Sequence, residues 1–334
     1  MKKLAIVKLS AMGDIIHSMV VLDSIKKTYP NLHITWFVEE SFAGVLEYNP
    51  NIDEIVKLNL KSIKKSKKNI FKQLELVRSY KDRDFDVIID AQGLIKSAIV
   101  ARLLGKNVVG FSKNSTREGL ASIFYSKKVE IAYEKNVIDR NAYLFKNALN
   151  LSTIDILGKK PFLYYKDEDK TIYDFLQKDK KNILLVIGAS WQSKIYPKER
   201  FCEVIDGMGE NFLVLWGSEN EQESASFIAK NTTATMLPKM SLNTLKALIS
   251  KVDLVIGNDT GPTHMAWALN IPSITLFGPT PQHRNTYTTT INKTLKSSSK
   301  VDPLKLDKED RSIGDIAKND IISLAYKLLE NHAK

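Results

Sequence analysis

Asp259, Thr260, Gly261, Thr263 and His264 crowd into the six positions 259–264, directly after the apolar run Val252 to Ile256, and Thr280 follows a second run, Ile271 to Phe277. Residues of these types in this order suit an anion. Gly257, Asn258, Asp259 and Gly261 force a turn, and Pro262 fits the first turn of a helix, where its missing N–H costs nothing. A helix N-terminus among small residues presents free backbone N–H groups and the positive end of a dipole, the arrangement that holds phosphate. One strand-loop-helix unit is ordinary in any α/β protein. What singles this one out is an acid, an imidazole and several hydroxyls on loops at strand C-terminal ends, where open α/β sheets bind their ligands.

Three further positions could take part in the same chemistry. Gly13 and Asp14 follow the first apolar run, and Asp14 is either a helix cap or a general base for a substrate hydroxyl. This turn has one glycine where a dinucleotide fingerprint needs three, so NAD is not expected. In the loop from Gly188 to Lys194, Lys194 is either a solvated lysine or the counter-charge of a departing diphosphate, with Ser190 beside it. Glu221, just past Gly217 and Ser218, could cap a helix or accept ribose hydroxyls. The sequence contains no P-loop, HExxH, paired cysteines or GxSxG elbow. Asp82, Asp84 and Asp86 have the spacing of a DxD metal motif but precede a strand as a charged turn, and no metal or other cofactor is expected.

The elements that must position these residues are legible as alternating periodicities. Apolar runs at Leu4 to Leu9, Ile34 to Val38, Glu54 to Leu58, Val87 to Ile89 and Val108 to Phe111 read as strands, with helices over Ile15 to Ser24, Phe71 to Ser79, Leu94 to Leu103 and Arg140 to Leu149. The pattern restarts after a mixed connector, Ser152 to Tyr173. Strands are expected at Asn182 to Ile187 and Phe212 to Trp216, and helices at Glu199 to Met208 and Glu221 to Lys230. This predicts two doubly wound parallel-sheet domains, residues 1–160 and 175–315, followed by a C-terminal helix, 316–334, that packs back with Asn319 or Asp320 as cap.

At 334 residues, 43% hydrophobic and 26% charged, the chain can bury two ordinary cores. Its one cysteine, Cys202, suits a reducing compartment and a packing role. No run approaches the ~18 apolar residues of a membrane span, and the N-terminal apolar run is too short for a signal peptide, so a cytoplasmic location is expected. The net charge of +11 favours anionic partners. Its sharpest source is Lys57 to Lys72, which holds seven lysines and no acid but lacks the arginines and aromatics that stack on bases, so nucleic acid is not expected.

LSAMGDIIHSMV at the N-terminus, WFVEE at Trp36 to Glu40, DAQGLIKSA at Asp90 to Ala98, STREGLASIFY at Ser115 to Tyr125, Arg140 within VIDRNAYLF, LPKMSL at Leu237 to Leu242 and DTGPTH at Asp259 to His264 together resemble the metal-independent lipopolysaccharide heptosyltransferases, of the type that adds the first inner-core heptose. The resemblance runs almost end to end. It implies the GT-B architecture, two Rossmann-like domains with a cleft between them, acceptor on the N-terminal side and nucleotide sugar on the C-terminal side. It also implies inverting transfer of L-glycero-D-manno-heptose from ADP-heptose to Kdo of Kdo-lipid A by a monomer, peripheral on the cytoplasmic face of a Gram-negative inner membrane.

By the same resemblance Asp14 is the base, beside Gly13. Lys194, Ser190, Thr260, Gly261 and His264 meet the diphosphate, Met240 lies on adenine, Glu221 reaches the ribose, and Asp259 and Thr280 belong to the donor site. Lys61, Lys64, Lys65, Arg117 and Arg140 fall where the family binds its acceptor. Lysines stand where arginine is common in that loop, which removes bidentate recognition there. Ala189 stands where a second hydroxyl is often found. Three other readings of the residues stay open: a heptosyltransferase II or III acting on a heptosylated core, a nucleotide-sugar epimerase or hydrolase, and a basic anion-binding protein.

Overall fold

The computed structural model describes residues 1–61 and 68–331, and the chain divides into two compact units, Met1–Tyr164 and Tyr165–Lys334. In the first unit the apolar runs become β1 (Lys3–Val7), β2 (His33–Glu39), β3 (Glu54–Leu58), β4 (Val87–Asp90) and β5 (Val108–Phe111), and β6 (Lys127–Val129) completes the edge. Neighbouring strands are all parallel, in the order β3-β2-β1-β4-β5-β6. Parallel pairing demands crossovers. These carry α1 (Met12–Met19), α2 (Leu22–Thr28), α3 (Lys68–Arg78) and α4 (Ile95–Leu104), and α5 (Val137–Leu149) packs back on α1 and β4. Helices on the sheet faces bury the inner strands on both sides, which is why β1 and β5 read as near-continuous apolar runs. Ala5, Val7, Phe37, Ile88, Ala98 and Ala101 form part of the core. The charged turn at Asp82 to Asp86 has a structural task, since the Asp86 carboxylate accepts the N–H groups of Lys2 and Lys3 and fastens the start of β1.

The second unit repeats the plan. Its strands are β7 (Asn182–Val186), β8 (Asn211–Leu215), β9 (Thr235–Met236), β10 (Leu254–Asn258), β11 (Ser273–Phe277) and β12 (Asn292–Lys296), parallel in the order β12-β11-β10-β7-β8-β9. The helices are α6 (Lys198–Asp206), α7 (Glu219–Asn231), α8 (Leu242–Ile249), α9 (Gly261–Leu269), the short α10 (Gln282–Asn285) and α11 (Lys318–Asn331). Helix α11 packs on α6, β10 and β11 and buries Ile321, Ala325, Leu328 and Leu329 in the core of this unit. It starts earlier than its sequence signals suggest: Asn319 and Asp320 lie inside the first turn, and the Ala317 carbonyl accepts from Asp320 and Ile321, so neither residue is the cap. Cys202 is half-buried against the same core.

In each sheet the strand order reverses once, between β1 and β4 and between β7 and β10. At such a reversal the loops leaving the strand C-termini diverge and open a crevice, the place where doubly wound sheets bind ligands. Asp14 follows β1, the loop from Gly188 to Lys194 follows β7, and Asp259 to His264 follows β10. The chemistry-bearing loops are therefore attached to the two reversal points.

Candidate active site

At the reversal point of the second unit, the turn after β10 is built by close packing and one asparagine. A Cβ on Gly257 would lie 2.5 Å from that of Val186 and 2.8 Å from the Val186 carbonyl oxygen, so only glycine lets β10 run this close to β7. Asn258 is fully buried; its Oδ1 accepts the N–H of Tyr196 at 3.0 Å and its Nδ2 donates to the carbonyl of Ile187 at 2.7 Å. One side chain thus ties the end of β10 to both ends of the 188–195 loop. Thr263 donates its hydroxyl to the Asn258 carbonyl at 2.8 Å and closes the turn into α9. Thr260 is the N-cap residue of α9 in extended conformation and makes no side-chain cap bond, with Gly261 and Pro262 opening the helix. The first turn of a helix has no internal acceptor for its N–H groups. An N-terminus of this kind suits an anion.

Beside it sits a compact polar knot centred on Asp259. Oδ2 of this carboxylate meets Lys194 Nζ at 2.8 Å, Thr280 Oγ1 at 2.9 Å and Asn285 Nδ2 at 3.2 Å, while Oδ1 pairs with His264 Nε2 at 3.1 Å. Lys194, Asp259, His264 and Thr280 are buried, with the Lys194 and Asp259 side chains 11% and 6% exposed, and Asn285 is half-buried. Burial pushes the Asp259 carboxyl upward, but Lys194 and His264 outweigh that and hold it well below the usual carboxylate range. Asp259 is therefore a fixed anion in contact with both Lys194 and His264. An ammonium has three N–H donors, and the pairing with Asp259 uses one of them. The rim is aromatic, since Lys194 and Lys308 lie 5.7 and 5.2 Å from the Trp191 ring centre.

The remaining donor-side residues lie at separate depths. Ser190 is exposed and Met240 half-exposed. Glu221 is held in a capping box: its Oε2 accepts from Gly217 N at 2.7 Å and Ser218 N at 3.2 Å, and the Ser218 hydroxyl accepts from Glu221 N. Its other carboxylate oxygen abuts Gly188, where any Cβ would collide with it. Glu221 is thus oriented toward the loop after β7 by the cap that also starts α7. Asn258, Asn285 and Tyr196 are the members of this site that sequence reasoning missed. Nothing in the pattern separates them from ordinary loop amides and core aromatics.

In the first unit Asp14 occupies the first turn of α1, half-buried, with Oδ2 accepting the N–H of Ala11 at 3.2 Å, and Gly13 precedes it. The loop carrying it is pinned from β4: Gln92 Oε1 accepts both Leu9 N and Ser10 N, at 3.1 and 3.0 Å, and the buried Lys8 ammonium donates to the Ala91 carbonyl at 2.8 Å. Gln92 is in turn set by Asp90, which accepts from the N–H groups of Gln92 and Gly93, the Ser97 hydroxyl and the Tyr125 hydroxyl, all within 3.2 Å. Burial pushes the Asp90 carboxyl up despite those donors. Gly93 has φ +71°, and a Cβ there would sit 2.5 Å from Thr116 Oγ1, which interlocks the 90–98 and 115–125 segments.

The expected acceptor residues are scattered in kind. Arg117 is exposed and takes no ion-pair partner among the described residues. Lys61 is exposed, its ammonium 3.3 Å from Ser41 Oγ and 4.8 Å from the Phe42 ring centre. Lys64 and Lys65 lie outside the described residues. Arg140 is held from within the first unit. It is 4% exposed and its guanidinium donates to the carbonyls of Ser115, Ile131 and Ala132 and lies over the rings of Phe111 and Tyr133. That environment makes it an internal clamp under the 115–132 segment. Among the described residues no three His, Cys, Asp or Glu side chains gather as a metal site.

Two six-stranded parallel sheets, each with helices on its faces and one reversal of strand order, define the α/β architecture of GT-B type glycosyltransferases. Residues 73–311 match glycosyltransferase family 9 (heptosyltransferase), and the chain belongs to that family. It is 40% identical over 342 residues to lipopolysaccharide heptosyltransferase 1 of Campylobacter coli, covering 98% of each chain. Among solved structures, E. coli heptosyltransferase WaaC with ADP superposes with a TM-score of 0.77 at 25% identity over 99% of both chains. The same E. coli enzyme with ADP-2-deoxy-2-fluoro heptose gives a TM-score of 0.80 at 24% identity, over 97% of this chain and 99% of that one.

Proposed function

We propose that this glycosyltransferase moves L-glycero-D-manno-heptose from its ADP form to Kdo of Kdo-lipid A, with inversion at the anomeric carbon and without a metal. Asp14 takes the proton of the acceptor hydroxyl, the oxygen forms its bond to the anomeric carbon, and the carbon–oxygen bond to ADP breaks with its electrons going to the diphosphate. The observation that carries the reading is the Asp259 knot. It holds Lys194 and His264 beside the N-terminus of α9, so that cationic and N–H donors converge where a leaving diphosphate gains charge. A lysine already positioned by a buried carboxylate supplies that stabilisation without reorganising, the role a metal plays elsewhere.

In this reading the N–H groups near Thr260 and Gly261 and the Ser190 hydroxyl complete the diphosphate site. Glu221 reaches the ribose, Met240 covers adenine, and Asp259 and Thr280 lie at the heptose. Arg117 and Lys61, both exposed, receive the acceptor's carboxylates and phosphates together with Lys64 and Lys65, which lie outside the described residues. The enzyme works as a monomer, peripheral on the cytoplasmic face of the inner membrane; no helix among the described residues is long and apolar enough to cross one.

The test is transfer in the presence of a chelator, with ADP-heptose and Kdo-lipid A, read by mass spectrometry of the lipid and by ADP release. One added heptose per acceptor is expected. Turnover only of an already heptosylated acceptor would move the enzyme to a later step, and consumption of donor alone would make it a hydrolase or epimerase.

A further inference from the structure

The first unit carries an apolar surface that its fold leaves uncovered. On α4, Ala98 and Ala101 face the core while Ile95 and Ile99, one turn apart, are 37% and 39% exposed. The 3-10 segment Gly119–Phe124 packs against α4; its Ala121 is buried, whereas Leu120 and Ile123, three residues apart and so on one side of a 3-10 turn, are 64% and 68% exposed. A direct bond joins the two pieces, since the Glu118 carboxylate accepts the Ile95 N–H at 2.8 Å. Four large apolar side chains therefore project from two elements that touch each other.

The segment that carries the patch is cationic. Residues 95–124 contain Lys96, Arg102, Lys106, Lys113 and Arg117, all exposed, and a single acid, Glu118, which is turned onto the N-terminus of α4. Lys96 adjoins Ile95, and Lys113 lies against Gly119, the neighbour of Leu120, close enough that a Cβ there would be 3.0 Å from its Cγ. Exposed apolar side chains rimmed by cations match a surface with acyl chains beneath anionic headgroups. A second copy of this chain is a poor fit, because a two-fold contact would set Lys96 and Lys113 against their own images.

We propose that Ile95, Ile99, Leu120 and Ile123, with Lys96 and Lys113 beside them, form the face by which the first unit docks on an anionic lipid bilayer. The proposal rests on the peripheral membrane location proposed above and names the face that meets the lipid; the transfer assay below rests also on the proposed activity. Seating the bilayer here also places it next to Arg117, so a lipid-anchored acceptor would be met at the membrane surface instead of being extracted into water.

Co-sedimentation with phosphatidylglycerol-containing vesicles tests the face directly, with pure phosphatidylcholine vesicles as the neutral reference. The wild-type protein is expected to bind the anionic vesicles and to release at high salt. Leu120→Ser with Ile123→Ser should weaken binding at least about tenfold by removing the inserted apolar groups. Lys96→Gln with Lys113→Gln should weaken it about twenty-fivefold, on the order of fivefold per charge. Unchanged melting curves confirm that these exposed substitutions leave the fold intact. Equal wild-type binding to both vesicle types, or undiminished binding by the Leu120/Ile123 variant, overturns the proposal. So does a concentration-dependent dimer, detected by ultracentrifugation, that the same variant abolishes. With ADP-heptose, this variant should lose turnover of acceptor embedded in vesicles and keep turnover of the deacylated, water-soluble acceptor; equal loss on both overturns the docking role. If the wild type turns over neither acceptor, the proposed activity fails while the vesicle result still judges the docking face.

Discussion

Replacing Lys194 by alanine strands a buried carboxylate, and the consequence can be worked from the knot around it. The pair is almost inaccessible, with side chains 11% and 6% exposed, so solvent cannot substitute for the lost ammonium. Breaking a buried pair by removing one partner costs about 3–5 kcal/mol. Asp259 keeps His264, Thr280 and Asn285 as donors, which puts the expected loss at the lower end, about 3 kcal/mol, or a melting temperature lower by roughly 6–12 °C at pH 7.

The sign of the pH dependence follows from the direction of the shift. In the wild type the folded-state carboxyl is lowered, because Lys194 and His264 outweigh the upward push of burial. Its stabilisation is therefore present above the unfolded value, ~3.9, and is lost only as pH falls below it. In the variant the larger of the two lowering charges is gone and burial drives the carboxyl upward, so the proton is taken up at higher pH and relieves the stranded charge. The deficit relative to wild type should narrow as pH is lowered from 7 toward 4.5. Thermal melting across that range, with Asp259→Asn and the double variant completing a cycle, measures both quantities, and a coupling of about 1–3 kcal/mol is expected. A deficit at pH 7 below ~0.5 kcal/mol, or single losses that simply add, would show that Lys194 and Asp259 do not act as a unit.

Asp14→Asn should keep ADP binding by calorimetry and lose about a thousandfold in transfer, within the range a general base supplies; near-normal turnover would remove Asp14 from that role. Arg140→Ala should lower stability by about 2–4 kcal/mol, because three main-chain carbonyls lose their donor inside the first unit. Its residual activity should show an unchanged acceptor KM, and a selective rise in that KM would return Arg140 to acceptor binding. Gly188→Ala should displace the Glu221 carboxylate from its capping box and cost about 1–2 kcal/mol. In a Glu221→Ala background the same substitution should be nearly neutral in urea unfolding, and an equal cost in both backgrounds would mean that the clash is not with that carboxylate.

The strands that the sequence announces and those it hides differ in their surroundings. β1, β5, β7, β8, β10 and β11 are buried on both faces or nearly so and read as apolar runs. The strands left unread, β6, β9 and β12, are three of the four sheet edges. Their sequences, KKV, TM and NKTLK, carry no apolar run because an edge strand is short and half-solvated. Helix boundaries fared similarly: Asp259 to His264 was legible as a turn into a helix, yet the cap of α11 was misplaced by signals common to many polar residues.

Residue types and spacing raised Asp14, Lys194, Glu221, Asp259 and His264 as candidates, several of them with an ordinary alternative beside the functional one, because local chain rules govern glycine turns, helix starts and strand ends. Sequence by itself thus determined that two parallel-sheet halves exist and which loops carry charge at their strand ends. Only the tertiary structure decided that Lys194, Thr280 and Asn285, from three separate segments, converge on one buried carboxylate, and that Arg140 faces inward onto carbonyls. Those partnerships follow from which strands reverse the sheet order and which loops burial then forces together, and a buried polar group accepts whatever partner packing brings within reach. Periodicity reports which side of an element is apolar; it carries no record of what lies across from it.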